Sequence, residues 1–193
     1  MNIFRKTAAG ISAAASALAL ALSAASCTSQ SLETVFTSQN TRIDSYIERM
    51  TLTGYDEEGN EITVKPEVVT RNGCHRVIIN NGDGAETTAG STVSIEYAGY
   101  VFASAPTVLF GTNKKEIAEA AGWSTEGDFA PLTVKMNDKN LVEGLRHGLI
   151  GAKKGEECFV FFSGKYGMGK TPLGLIPSNS ALCYRIWVTD VRN

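Results

Sequence analysis

Thr92-Val93-Ser94-Ile95-Glu96-Tyr97-Ala98-Gly99-Tyr100-Val101-Phe102 decides the fold. The stretch alternates and is rich in β-branched and aromatic residues, the composition of a long, half-buried strand rather than of a helix. Residues 132–136 and 157–162 read as further strands, and residues 181–191 close the chain as another long one. Between them a helix is expected over about residues 140–151, with Leu141, Val142, Leu145 and Leu149 on one face and Glu143, Arg146 and His147 mostly on the other. A shorter helix is expected over about residues 114–121, where Asn113 offers an N-cap, Glu116 stands at the third helical position and Gly122 is a stop. Several antiparallel strands with one or two helices make an α+β sheet domain.

Upstream, residues 62–69 and 75–79 read as strands, and residues 55–60 as an acidic, glycine-containing turn. Asn80-Asn81-Gly82-Asp83-Gly84 is the strongest turn cluster in the chain. From Val35 onward, Phe36, Ile43, Tyr46, Ile47 and Met50 recur at mostly helical spacing. They predict an amphipathic helix packing on the domain's edge, with a second membrane contact as the alternative.

The polar stretch from Thr28 to about Leu32 reads as a tether. Before it, Arg5 and Lys6 precede an apolar run around residues 11–22, and Ala24, Ala25 and Ser26 lead into Cys27, the layout of an export signal. The run is mostly Ala and Ser, and shorter than the roughly 20 strongly apolar residues of a spanning helix. Small residues directly before a cysteine resemble the lipobox of bacterial lipoproteins, in which that thiol is lipidated and becomes the N-terminus after cleavage. Ala24 stands where the motif usually has Leu, and ordinary signal cleavage is the alternative reading. The expected organisation is a signal peptide at 1–26, a lipid-anchored tether and amphipathic helix at 27–50, strands and turns at 51–89, and the main domain at 90–193.

With 18 Lys or Arg against 20 Asp or Glu, the chain lacks the basic footprint of a nucleic-acid binder. A composition 43% hydrophobic and 20% charged excludes disorder throughout. No G-x-S-x-G elbow, H-E-x-x-H or dinucleotide fingerprint occurs, and phosphate-loop chemistry is not expected. His75 follows Cys74 in a strand, and His147 lies four residues after Glu143 as a helix-surface pair, so no metal site is expected at either. Lys153-Lys154-Gly155-Glu156-Glu157 reads as a solvated turn. With Cys27 lipidated, Cys74, Cys158 and Cys183 are odd in number and show no C-x-x-C spacing. Cys158 and Cys183 lie in apolar runs and read as small buried strand residues, a disulfide in an oxidising compartment being the alternative.

The motifs of the main domain occur in a distinctive order: residues 90–100 around Tyr97 and Gly99, Leu109-Phe110-Gly111-Thr112-Asn113, Pro131-Leu132-Thr133-Val134, then Leu141-Val142-Glu143-Gly144-Leu145. After them come Tyr166-Gly167-Met168-Gly169 and Gly174-Leu175-Ile176-Pro177. This series, from about residue 74 to 193, resembles the FKBP-type peptidyl-prolyl cis-trans isomerases. The resemblance implies a bent antiparallel half-barrel wrapped around the 140–151 helix. Carried over residue by residue, it places Tyr97, Phe110, Val142, Leu145 and Tyr184 in the catalytic pocket and Leu132, Leu141, Met168 and Ile176 in substrate binding. Val142 would supply a backbone N–H to a peptide carbonyl, and Leu145 would be the floor, where many members have Trp. Leu132 and Leu141 read equally well as plain core. Gly111 stands where the family has an Asp, Met168 where it has a Tyr, and Tyr184 where it has a Phe.

No nucleophile, cofactor or metal is needed for this chemistry. Rotation about X–Pro has a barrier of roughly 18–20 kcal/mol because the planar amide is resonance-stabilised. The twisted form is less polar, so an apolar site that holds the peptide by a hydrogen bond favours it. The resemblance thus implies an isomerase of the bacterial cell envelope, lipid-anchored at Cys27 and facing the periplasm, acting on proline-containing segments of exported proteins. The alternative is a non-catalytic peptide-binding or assembly module whose site has degenerated, as Gly111 and Met168 suggest. The sequence leaves the clients and the oligomeric state open.

Overall fold

The computed structural model describes residues 31–193. The expected signal peptide, lipidated Cys27 and most of the tether lie outside the described residues. Among the described residues three helices, α1 (Leu32–Arg49), α2 (Lys115–Ala120) and α3 (Glu143–Leu149), accompany nine strands. These are β1 (Leu52–Tyr55), β2 (Glu61–Val64), β3 (Glu67–Arg71), β4 (Cys74–Asn80), β5 (Thr92–Phe102), β6 (Pro106–Thr112), β7 (Leu132–Lys135), β8 (Glu157–Phe162) and β9 (Ala181–Arg192). β1 and β2 form a separate hairpin, while the others make one antiparallel sheet in the order β3-β4-β8-β9-β5-β6, with β7 also on β5. The sheet is open, with β3 at one edge and β6 and β7 along successive parts of β5 at the other. The architecture is the α+β class expected.

Alternation along the central strands builds two cores, one on each face. On one face Cys158, Val160 and Phe162 of β8 and Leu182, Tyr184, Ile186 and Val188 of β9 pack with Leu145 and Leu149 of α3. The opposite face carries Phe161, Cys183, Phe102 and Val77, covered by Ile43 of α1. The Tyr46 ring meets Phe102 at 5.5 Å and Phe161 at 5.7 Å. Helix α1 therefore begins three residues before Val35 and covers the middle of the sheet instead of its edge.

α3 approaches the sheet closely because two glycines face it. A Cβ on Gly144 would sit 2.3 Å from the Phe162 ring, and one on Gly148 would sit 2.2 Å from Val160 Cγ1. The helix is shorter than the apolar period suggests, since Val142 has ψ 127° and is not helical. Its C-terminal end is fixed by a buried ion pair. Arg76 of β4 donates to the Ile150 carbonyl at 3.1 Å and lies 3.3 Å from Glu156, whose other carboxylate oxygen accepts from Lys153 N–H at 3.2 Å. Glu156 is 3% exposed, so the solvated turn expected at 153–157 is corrected there.

Other expectations shift for local reasons. Residues 62–69 are two strands, because Pro66 cannot donate to a ladder and separates β2 from β3. Asn72 (φ 50°) and Gly73 (φ 74°) make the tight turn of the β3–β4 hairpin. β6 was not expected; Pro106 and Gly111 interrupt its strand pattern. Cys74, Cys158 and Cys183 are free and buried. Burial pushes the Cys74 thiol up to about 12 and raises Cys158 and Cys183 as well. Among the described residues no helix is long and apolar enough to cross a membrane.

Candidate functional site

The centre of the site is Tyr184 of β9, which pairs with Gly99 of β5. A Cβ at Gly99 would fall 2.5 Å from the Phe110 ring and 3.1 Å from the Tyr184 ring, so glycine there is what lets the two rings meet. They lie edge to face at 5.4 Å; Phe162 stacks on Tyr184 at 5.9 Å, and Tyr97 stands 6.1 Å away. Such aromatic contacts contribute about 0.5–1.5 kcal/mol each beyond burial. Tyr184 is 4% exposed; burial first, and then the neighbouring Tyr97, raise its hydroxyl well above the ordinary phenol range. It remains neutral.

Leu145 of α3 and Ile176 are buried in the same cluster, and Tyr97, Phe110, Leu141, Val142, Tyr166 and Met168 pack partly exposed against it. Tyr97, Phe110, Val142, Leu145 and Tyr184 thus belong to or pack against one hydrophobic cluster. Leu132 does not join them: it pairs with Ile95 through β7 and is 46% exposed.

The turn into α3 holds a polar group ready. Arg146 donates to the carbonyls of Asp138 at 3.2 Å and Leu141 at 3.0 Å, and the Val142 carbonyl accepts from Arg146 N–H at 3.0 Å. The Val142 N–H itself donates to no group among the described residues. Gly111 lies beside Tyr97, and a Cβ there would be 3.5 Å from Tyr97 Oη, in ordinary contact. A longer side chain at that position would reach the hydroxyl.

Asn113, expected to cap α2, does something else. Its Oδ1 accepts from Tyr97 N–H at 2.7 Å, while Nδ2 donates to the carbonyls of Ile95 at 3.0 Å and Ala130 at 3.1 Å. The residue at the α2 N-cap is Lys114, without a side-chain cap. Asn113 thus holds the strand carrying Tyr97 against the segment entering β7, a role hidden because an Asn before a helix reads first as a cap. Tyr166 was also missed as a wall residue; its aromatic ring two positions before Met168 was the available signal.

His147 is a surface pair with Glu143 at 3.3 Å, and its ring also meets Tyr166 edge to face at 5.8 Å. His75 contacts Thr70 at 3.0 Å and Asp44 of α1 at 3.5 Å. Among the described residues no group of three or more His, Cys, Asp or Glu could hold a metal ion. Residues 164–171 have the G-x-x-x-x-G-K-T spacing of a phosphate loop. That loop requires its Lys and Thr to open a helix, whereas here a 3-10 turn (Gly164–Tyr166) leads through further turns to β9.

Residues 84–189 match the family described as FKBP-type peptidyl-prolyl cis-trans isomerase. The chain is 27% identical over 114 residues to FK506-binding protein 1 of Aspergillus oryzae, covering 59% of this chain and 94% of that protein. The fold resembles a peptidyl-prolyl cis-trans isomerase from Pseudomonas syringae pv. tomato (TM-score 0.57, 16% identity, 86% of this chain and 99% of that one). It also resembles FkpA from Escherichia coli (TM-score 0.50, 18% identity, 83% of this chain and 62% of that one).

Proposed function

Because the chain belongs to the FKBP-type peptidyl-prolyl cis-trans isomerase family, we propose that the walls around Tyr184 are where an X–Pro amide is twisted. Tyr97, Phe110, Leu145 and Tyr184 offer a surface less hospitable to a planar, polar amide than to its twisted form. The unspent N–H of Val142 holds a peptide carbonyl and so fixes the substrate over those walls. No proton moves and no covalent bond is made. The observation that carries this reading is that these side chains share one cluster with Val142, whose N–H has no acceptor among the described residues.

The setting follows from the N-terminal sequence. The enzyme is anchored by lipid on Cys27 at the periplasmic side of a bacterial envelope membrane, where it assists exported proteins whose X–Pro bonds take tens of seconds to isomerise unaided. One acyl chain gives only marginal attachment, and a lipoprotein's several chains make it stable. Cys27→Ser should leave the protein soluble in the periplasm or uncleaved. A variant that is processed and fractionates with membranes like the parent would refute the anchor.

A second reading is favoured by Gly111 and Met168: a peptide-binding module that has kept the fold and lost turnover. NMR exchange on an X–Pro peptide separates the two. Cross-peaks between cis and trans forms that grow with protein concentration support the isomerase, while shifted resonances without exchange support the binding module.

A further inference from the structure

We infer that Gln39, on α1 and outside the segment that matches the family, is a positioning residue for the peptide site, acting through the loop that carries Met168 and Ile176. The inference rests on the reading of that site given above. Gln39 is 7% exposed, unusual for a glutamine on an amphipathic helix. Its Oε1 accepts the Gly164 N–H at 2.8 Å and its Nε2 donates to the Asn179 carbonyl at 2.8 Å. Those are the two ends of one loop: Gly164 opens the 3-10 turn after β8, and Asn179 stands just before β9.

The loop is pinched where Gln39 reaches it. A Cβ on Gly164 would lie 2.0 Å from the Asn179 carbonyl oxygen, so the two backbones touch. Asn179 takes a positive φ of 54°, and its N–H donates to the Gly169 carbonyl at 2.8 Å. One primary amide thus serves a donor and an acceptor on opposite ends of the pinch. Without it both are left without partners in a site nearly closed to water. Gln39 is also rigidly mounted, because Ile43, one turn further along the same helix face, is fully buried against the sheet. Within the loop, Tyr166 and Met168 pack on the aromatic cluster and Ile176 is part of it. The helix behind the sheet therefore sets the position of a wall in front of it.

The test uses the full chain with Gln39→Leu, which keeps apolar volume and removes both hydrogen bonds, and Gln39→Glu. Amide hydrogen exchange at Gly164 and Asn179 should quicken at least about tenfold in Gln39→Leu, with β9 amides little changed. The KM for an X–Pro peptide should rise roughly tenfold while kcat moves less. In Gln39→Glu the carboxylate accepts from Gly164 but faces the Asn179 carbonyl, whereas the protonated acid can both accept and donate. Its defect should therefore shrink as pH falls through the carboxyl titration, which a plain packing defect would not do. Unchanged loop exchange overturns the inference, as does a loosened loop with unaltered KM, or a Gln39→Glu defect indifferent to pH. Should the wild type bind the peptide without turning it over, the isomerase reading fails, and the same variants are judged by peptide Kd: weaker binding supports the clamp, equal binding sinks it.

Discussion

Single residues set the strength of the chemistry. In the proposed site Tyr97, Phe110 and Tyr184 would supply the apolar surface, while Gly111 has no carboxylate to offer the Tyr97 hydroxyl and Met168 no hydroxyl to offer a peptide. Losing one positioning hydrogen bond costs about 0.5–1.5 kcal/mol, so two losses reduce turnover by roughly one to two orders of magnitude. Gly111→Asp with Met168→Tyr should raise kcat/KM, more together than the single effects predict if both act on one substrate pose. A double variant no faster than its parent would show that these two positions do not limit turnover. At His75, burial lowers the ring's pKa and Asp44 only partly opposes it. The unfolded chain therefore takes up the proton first, and stability is full above about 6.5 and declines as pH falls below it. Denaturation midpoints measured from pH 8 to 5 should fall less steeply in His75→Gln; an equal slope would assign the decline to other groups.

At the scale of elements, α3 depends on how near it comes to β8. Alanine is the better helix former by up to about 1 kcal/mol, yet at Gly144 it would drive a methyl into the Phe162 ring. Gly144→Ala should therefore destabilise by about 1–3 kcal/mol in urea unfolding, and a stabilised variant would mean that the helix can lift off without loss. The same element shows where sequence reading reaches its limit. β5, β7, β8 and β9 were legible from their β-branched and aromatic residues and apolar runs, and α2 from its Gly122 stop. Leu141 and Val142 continue the apolar period of α3, but a period cannot distinguish a first helical turn from the turn before it. Only backbone angles show that Val142 lies outside the helix, and only the fold shows that its N–H has no acceptor among the described residues. Asn72-Gly73 carries the same Asn-Gly signal as Asn81-Gly82, but only Asn72-Gly73 joins two paired strands as a tight hairpin. Glu156 was not readable, since its partner Arg76 stands on β4, far away in sequence.

Over residues 32–193 the chain layers α1, sheet and α3, with one aromatic-rich core between the sheet and α3 and a second between the sheet and α1. The ordered motifs made legible which residues share the cluster around Tyr184, because that depends on position in the family fold. Gln39 and Asn113 escaped because each satisfies backbone groups that only the folded chain brings together. The central claim is that these walls, without nucleophile or metal, accelerate rotation about X–Pro. The most direct measurement is the exchange rate of an X–Pro peptide with catalytic amounts of the full chain, for wild type and Phe110→Ala, each shown to be folded. The account predicts a weak but concentration-dependent acceleration by wild type and the uncatalysed rate with Phe110→Ala. A wild type that binds the peptide and leaves its exchange rate untouched, with the Gly111→Asp/Met168→Tyr double variant equally inert, would contradict it.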